Sequence, residues 1–79
     1  MRITEELESE KNKILAMPFG SLLLESRYAQ FKRGPYDLSK KITVLSPTLM
    51  RIDISLIYEN VTQKLFLFKS KLLKEVKND

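Results

Sequence analysis

Residues 51–59, RIDISLIYE, decide the fold that we predict for this chain. Apolar side chains occupy the even positions from Ile52 to Tyr58, and charged or small polar side chains occupy the odd positions apart from Ile57. This period of two is typical of a β-strand that buries one face and leaves the other in solvent. We therefore predict an antiparallel strand whose even-numbered side chains point into the core.

Two further strands flank this one in the chain. Residues 41–45 are β-branched at three positions and end at the Ser-Pro-Thr break over residues 46–48. Residues 64–72 contain the continuous apolar run LFLF, which is typical of a strand that is apolar on both faces. The three strands together predict an antiparallel meander with the strand 51–59 in the middle.

The loop between the last two strands sets their register. A loop of odd length centred on Val61 places Ile54 opposite Phe68, whereas a four-residue loop over residues 60–63 places Ile54 opposite Lys69. We predict the first register because it keeps a lysine off the buried face. Phe66 then points inward together with Phe68.

The first sixteen residues are an acidic arm with four glutamates against three cations. We predict a helix from about Thr4 to Ala16, because Thr4 can cap its first turn and the early glutamates suit the positive end of the helix dipole. Pro18 disfavours helical backbone at the residue before it and so predicts the end of the helix.

Residues 19–33 form a second helix or a strand. Leu24, Tyr28 and Phe31 lie at i, i+4 and i+7, which favours a helix over residues 21–33 that stops at Gly34. Leu22, Leu24 and Tyr28 also share one face of a strand, and that alternative stays open.

The predicted architecture is α+β: two N-terminal helices packed on a three-stranded antiparallel β-meander. The chain has 79 residues, which suits a single small domain with a limited core. We divide residues 1–79 into the acidic helical arm 1–16, the segment 19–33 and the β-rich body 40–76. The apolar positions near the end either extend the last strand or close the chain as a helical turn: Leu72, Leu73 and Val76.

The composition argues against catalysis. The chain contains no cysteine and no histidine, which removes the thiolate nucleophile, the commonest general base and the commonest metal ligands. Its two glycines make no phosphate-binding loop. We therefore predict no enzyme, no catalytic residues, no cofactor and no metal. The longest apolar runs are far shorter than a membrane span of about 20 residues, so we expect a soluble, intracellular (cytoplasmic) protein without a membrane partner.

The main functional hypothesis is a small protein-interaction module that associates with itself or docks a protein partner. With Phe66 and Phe68 inward, the outer face of the sheet would carry Ile57, Leu65 and Leu67. An exposed apolar patch of this kind often marks an interface. These three residues are the predicted partner-binding site, and a homodimer is one form it would take.

The alternative hypothesis is a basic nucleic-acid-binding protein. The net charge is +4, and five cations lie within fifteen residues among interleaved aromatic side chains. Cations neutralise phosphates, and aromatic rings stack on unpaired bases. The predicted nucleic-acid-binding residues are Arg27, Lys32, Arg33, Lys40 and Lys41.

Overall fold

A computed structural model of the protein describes residues 3–71, which form two helices followed by a four-stranded antiparallel sheet. The strand order in the sheet is the order in the chain. The elements are α1 (Ile3–Ala16), α2 (Phe19–Leu23), β1 (Tyr28–Arg33), β2 (Tyr36–Ser46), β3 (Leu49–Tyr58) and β4 (Val61–Ser70). The α+β class is confirmed, and the predicted count of three strands is one short. The predicted strand extension or helical turn at Leu72, Leu73 and Val76 lies outside the described residues.

The additional strand comes from the segment that was ambiguous in the sequence. The helix predicted over residues 21–33 is wrong beyond Leu23, because residues from Tyr28 onward pair with β2 along six positions. Gly34 has a φ of 60° and, with Pro35, forms the two-residue turn of a β-hairpin rather than a helix end. Pairing with a neighbouring strand therefore outweighs the local helix propensity of these residues.

The core lies between the two helices and one face of the sheet. The buried side chains of β3 are Met50, Ile52, Ile54 and Leu56. The alternation predicted the last three, whereas Tyr58, which was also predicted to point into the core, is partly buried against it. Helix α1 packs across β3 and β4 through Leu7 and Ile14, and α2 adds Phe19 and Leu22. We call this covered side of the sheet the inner face. The remaining buried apolar side chains belong to β2 and are Tyr36, Leu38 and Ile42.

The predicted extent of the first helix is confirmed to within one residue, but the predicted cap is wrong. Thr4 is the second residue of α1 rather than its cap. Its hydroxyl donates a hydrogen bond of 3.3 Å to the side-chain carbonyl oxygen of Gln63 on β4. Thr4 therefore helps to hold the start of α1 against the edge of the sheet.

The predicted register between β3 and β4 is wrong. The connection is a two-residue turn, Glu59 and Asn60, and it places Ile54 opposite Leu65 rather than Phe68. Two-residue turns are the commonest hairpin connections, because the favoured types have a backbone twist that matches the twist of the flanking strands. Because a shift by an odd number of residues turns a strand over, Leu65 and its neighbour Leu67 face inward, while Phe66 and Phe68 face outward.

The predicted register keeps Lys69 off the inner face. Lys69 does lie on that face, opposite Met50. It lies near the end of the strand, however, where its ammonium group donates a hydrogen bond to the backbone carbonyl of Leu15 in the last turn of α1. A cation is favourable at the carboxyl end of a helix, so the lysine is accommodated without being buried in apolar surroundings.

Glu59 occupies a backbone conformation that suits glycine, with a φ of 56°. The left-handed region disfavours residues with a Cβ atom by roughly 1–2 kcal/mol, partly balanced by the greater freedom of glycine in the unfolded chain. We expect Glu59→Gly to have a free energy of unfolding about 0.5–1 kcal/mol higher than Glu59→Ala. Urea unfolding followed by far-ultraviolet circular dichroism measures the difference.

The alanine variant is the matched control, because both substitutions remove the carboxylate and only glycine relieves the strain. Equal stability of the two variants would contradict the strained turn.

Candidate functional site

The second face of the sheet is not covered by any helix in residues 3–71, and we call it the open face. It carries the outward side chains of all four strands, which register across the sheet in rows. One row runs Tyr28, Lys41, Asp53, Phe66, and the next runs Gln30, Ser39, Ser55, Lys64. The other members of the open face include Lys32, Asp37, Thr43, Leu49, Arg51, Ile57, Thr62, Phe68 and Ser70.

Two aromatic rings stand on the open face at the edge strand β4. Phe66 is 55% exposed and Phe68 is 51% exposed, although phenylalanine is one of the residues most often buried. Their ring centroids are 5.9 Å apart at an interplanar angle of 80°. The guanidinium carbon of Arg51 lies 4.2 Å from the Phe66 centroid, a cation–π contact that holds the arginine over the rings.

The charges on the open face are predominantly positive. Four cations face two acids, and each acid is already paired: Asp53 lies 3.0 Å from Arg51, and Asp37 lies 2.8 Å from Lys32. Lys41 and Lys64 form no ion pair with any residue from 3 to 71. They are therefore the cations on this face that are available to an anion.

A depression of about 600 Å³ lies between these groups. Phe66 and Asp53 line it together with the cations Lys41, Arg51 and Lys64. Ser39 and Ser55 add hydroxyl groups to its floor. The site therefore combines an exposed ring, hydrogen-bonding groups and unpaired cations in one place.

The predicted partner-binding residues do not share a face. Ile57 is on the open face and exposed, whereas Leu65 and Leu67 are partly buried against the core on the inner face. The predicted orientation of these two leucines is wrong because the β3–β4 register turns the strand over. That the three residues bind a partner stays a prediction.

The five predicted nucleic-acid-binding cations are not brought together either. Lys32 and Lys41 are on the open face, but Arg33 and Lys40 are on the inner face. Lys40 is buried and lies 3.4 Å from Glu25. Arg27 donates two hydrogen bonds to the backbone carbonyls of residues 23 and 25. These five cations therefore form no continuous track for phosphates.

Arg33 has a structural contact instead. A terminal nitrogen of its guanidinium donates a 2.7 Å hydrogen bond to Glu10, which is only 3% exposed, and Glu6 lies 3.7 Å from the other terminal nitrogen. Tyr36 follows the β1–β2 turn at this point, and its burial, with Glu6 nearby, raises the pKa of its hydroxyl. Arg33 thus ties the hairpin of β1 and β2 to α1.

Sequence reasoning missed Arg51, Asp53, Lys64, Phe66 and Phe68 as members of one surface. The signal that could have found them is the Glu59-Asn60 pair, because asparagine is frequent in two-residue hairpin turns. A two-residue turn at that point fixes the register and puts both phenylalanines on the face of Arg51.

Comparisons with known proteins identify no relative. The chain matches no protein-family model, and no curated protein and no solved structure is significantly similar to it. Within residues 3–71, no helix is long and apolar enough to cross a membrane, and no three acidic side chains converge on a metal-binding position.

Breaking the Arg33–Glu10 pair is expected to destabilise the fold. Arg33→Met leaves the buried Glu10 carboxylate without its partner, and we expect the free energy of unfolding to fall by about 2–3 kcal/mol. Urea unfolding of the single variant against the natural chain measures this loss.

The double variant Arg33→Met, Glu10→Met tests whether the lost stability comes from the interaction between these two side chains. It removes the unpaired charge as well, so it should recover a large part of the lost stability. A double variant as unstable as the sum of the two single variants would contradict the coupling.

Proposed function

We propose that this protein is a non-enzymatic binding module whose open face binds single-stranded nucleic acid. The single observation that carries the proposal is the exposure of Phe66 and Phe68 beside Arg51 on a sheet face whose charges are predominantly positive. Proteins that bind single strands combine aromatic side chains, on which bases stack, with cations that follow the phosphates.

The aromatic part of the face offers stacking surfaces for more than one base. Phe66 and Phe68 lie side by side on β4, and Tyr28 lies on the opposite edge strand with more than half of its surface exposed. A guanidinium plane also stacks on bases, so Arg51 extends the surface formed by the two rings. The spacing of the rings along and across the sheet supports an extended strand rather than a single nucleotide.

The cationic part of the face supports an anionic ligand over a second copy of this chain. Self-association through the open face would bring two positively charged surfaces together, which is unfavourable. A phosphate backbone is complementary to Lys41 and Lys64, which have no acidic partner among residues 3–71.

Replacing both phenylalanines tests the proposal. Each stacked base contributes about 1–3 kcal/mol, so Phe66→Ala, Phe68→Ala should weaken binding of a fluorescein-labelled twelve-nucleotide single strand by about tenfold or more. Fluorescence anisotropy at low salt, with both DNA and RNA oligonucleotides of mixed sequence, measures the dissociation constants.

The matched control is Leu15→Ala, Val44→Ala, which removes two similarly exposed apolar side chains that are not on the open face. It should bind like the natural chain. Two results would overturn the proposal: no binding of either oligonucleotide by the natural chain, or equal binding by the two double variants.

The lysines are tested through salt dependence. Removing two phosphate contacts should reduce the slope of log affinity against log salt by about 1.4 for a single strand. We expect this change for Lys41→Gln, Lys64→Gln, and no change for Lys11→Gln, Lys13→Gln on α1, which alters the net charge equally. Equal slopes for both pairs would show that the open face does not hold the phosphates.

Sedimentation of the same variants tests the main sequence-based hypothesis of self-association. A dimer at micromolar concentration that dissociates when Phe66 and Phe68 are replaced would assign the open face to a second copy and reject nucleic acid as its ligand.

A further inference from the structure

We infer that Asp53 makes the open face discriminate between bases, favouring those that carry an exocyclic amino group over thymine and uracil. The inference rests on the proposed function and adds to it the class of sequence that the face prefers. Its starting observation is an acid at the centre of a surface that otherwise suits phosphates.

Asp53 lies directly beside the aromatic site. It is opposite Phe66 on β4 and opposite Lys41 on β2, and it lines the same depression as both. Residues directly opposite in an antiparallel pair have Cβ atoms about 4.5–5.5 Å apart. The edge of a base that stacks at Phe66, either on the ring or on the Arg51 guanidinium that lies over it, therefore falls within reach of the Asp53 carboxylate.

One carboxylate oxygen is available to such a base. Arg51 contacts Asp53 through Nε at 3.1 Å and through a terminal nitrogen at 3.0 Å, and both contacts go to Oδ1. Among residues 3–71, no hydrogen-bond donor or cation contacts Oδ2. An ionised carboxylate can only accept hydrogen bonds, so the ligand must supply a donor.

The position does not suit the other parts of a nucleic acid. A phosphate would be repelled by the carboxylate, and the Arg51–Asp53 pair is more than one-third exposed on both sides, so it contributes little to stability. Amino groups of cytosine, adenine and guanine are donors to carboxylates, whereas thymine and uracil present a carbonyl oxygen in place of the cytosine amino group. Asp53 therefore favours cytosine over thymine when the two pyrimidines stack alike.

The test compares two homopolymers of equal length, dC12 and dT12, by competition against a labelled oligonucleotide in the anisotropy assay. We expect the natural chain to bind dC12 about five- to tenfold more tightly, in the range of one good base contact. Asp53→Asn should bring that ratio close to one, because the amide can donate to the thymine carbonyl as well as accept from cytosine.

Asp37→Asn is the matched control, since it removes the other acid of the open face and changes the net charge by the same amount. It should raise the affinity for both oligonucleotides and leave their ratio unchanged. Circular dichroism of each variant checks that the sheet is intact.

The outcomes separate this inference from the proposed function. Absence of binding to every oligonucleotide overturns the proposed function. Binding with a ratio near one in the natural chain, or a ratio that Asp53→Asn leaves unchanged, overturns the inference alone. If Asp37→Asn loses the preference for dC12 to the same extent, the inference is also overturned, because the preference would then depend on the net charge of the open face and not on Asp53.

Discussion

The two-residue turn between β3 and β4 determines the character of both faces of the sheet. It sets the register in which Leu65 and Leu67 meet the inner side chains of β3. The same register leaves Phe66 and Phe68 in solvent beside Arg51. A turn longer or shorter by one residue would exchange the two sets, because side chains alternate along a strand. The composition of the open face thus follows from a local choice of turn.

The strands that could be predicted from the sequence are those with a strong period. Residues 51–59 alternate at every position except Ile57, and β3 buries Ile52, Ile54 and Leu56 as expected. The start of α1 could also be predicted from its early glutamates, and its end from Pro18. Residues 28–33 have no such period, and their state depends on pairing with β2, a contact that no local pattern in the sequence contains.

The sequence predicted which kinds of side chain form the candidate site, but not which residues they are. Aromatic rings and cations were expected to act together, but in the segment from Arg27 to Lys41. Two of those cations, Arg33 and Lys40, instead pair with acids on the helical side of the fold. Linear spacing within fifteen residues does not show which side of a sheet a residue occupies when the segment contains a hairpin. The open face is assembled from four strands, so its members are distant in the chain.

A fold of one sheet and one helical layer has a consequence for the role of α1. The inner face of β3 is fully apolar, and α1 shields it from water. Detachment of the helix would expose apolar side chains on both faces of the sheet, next to its two hydrogen-bonding edge strands. Sheets of this kind stack into fibrils. Three hydrogen bonds join α1 to the sheet at its beginning, middle and end, through Thr4, Glu10 and the Leu15 carbonyl. These hydrogen bonds therefore reduce the tendency to aggregate as well as stabilising the fold.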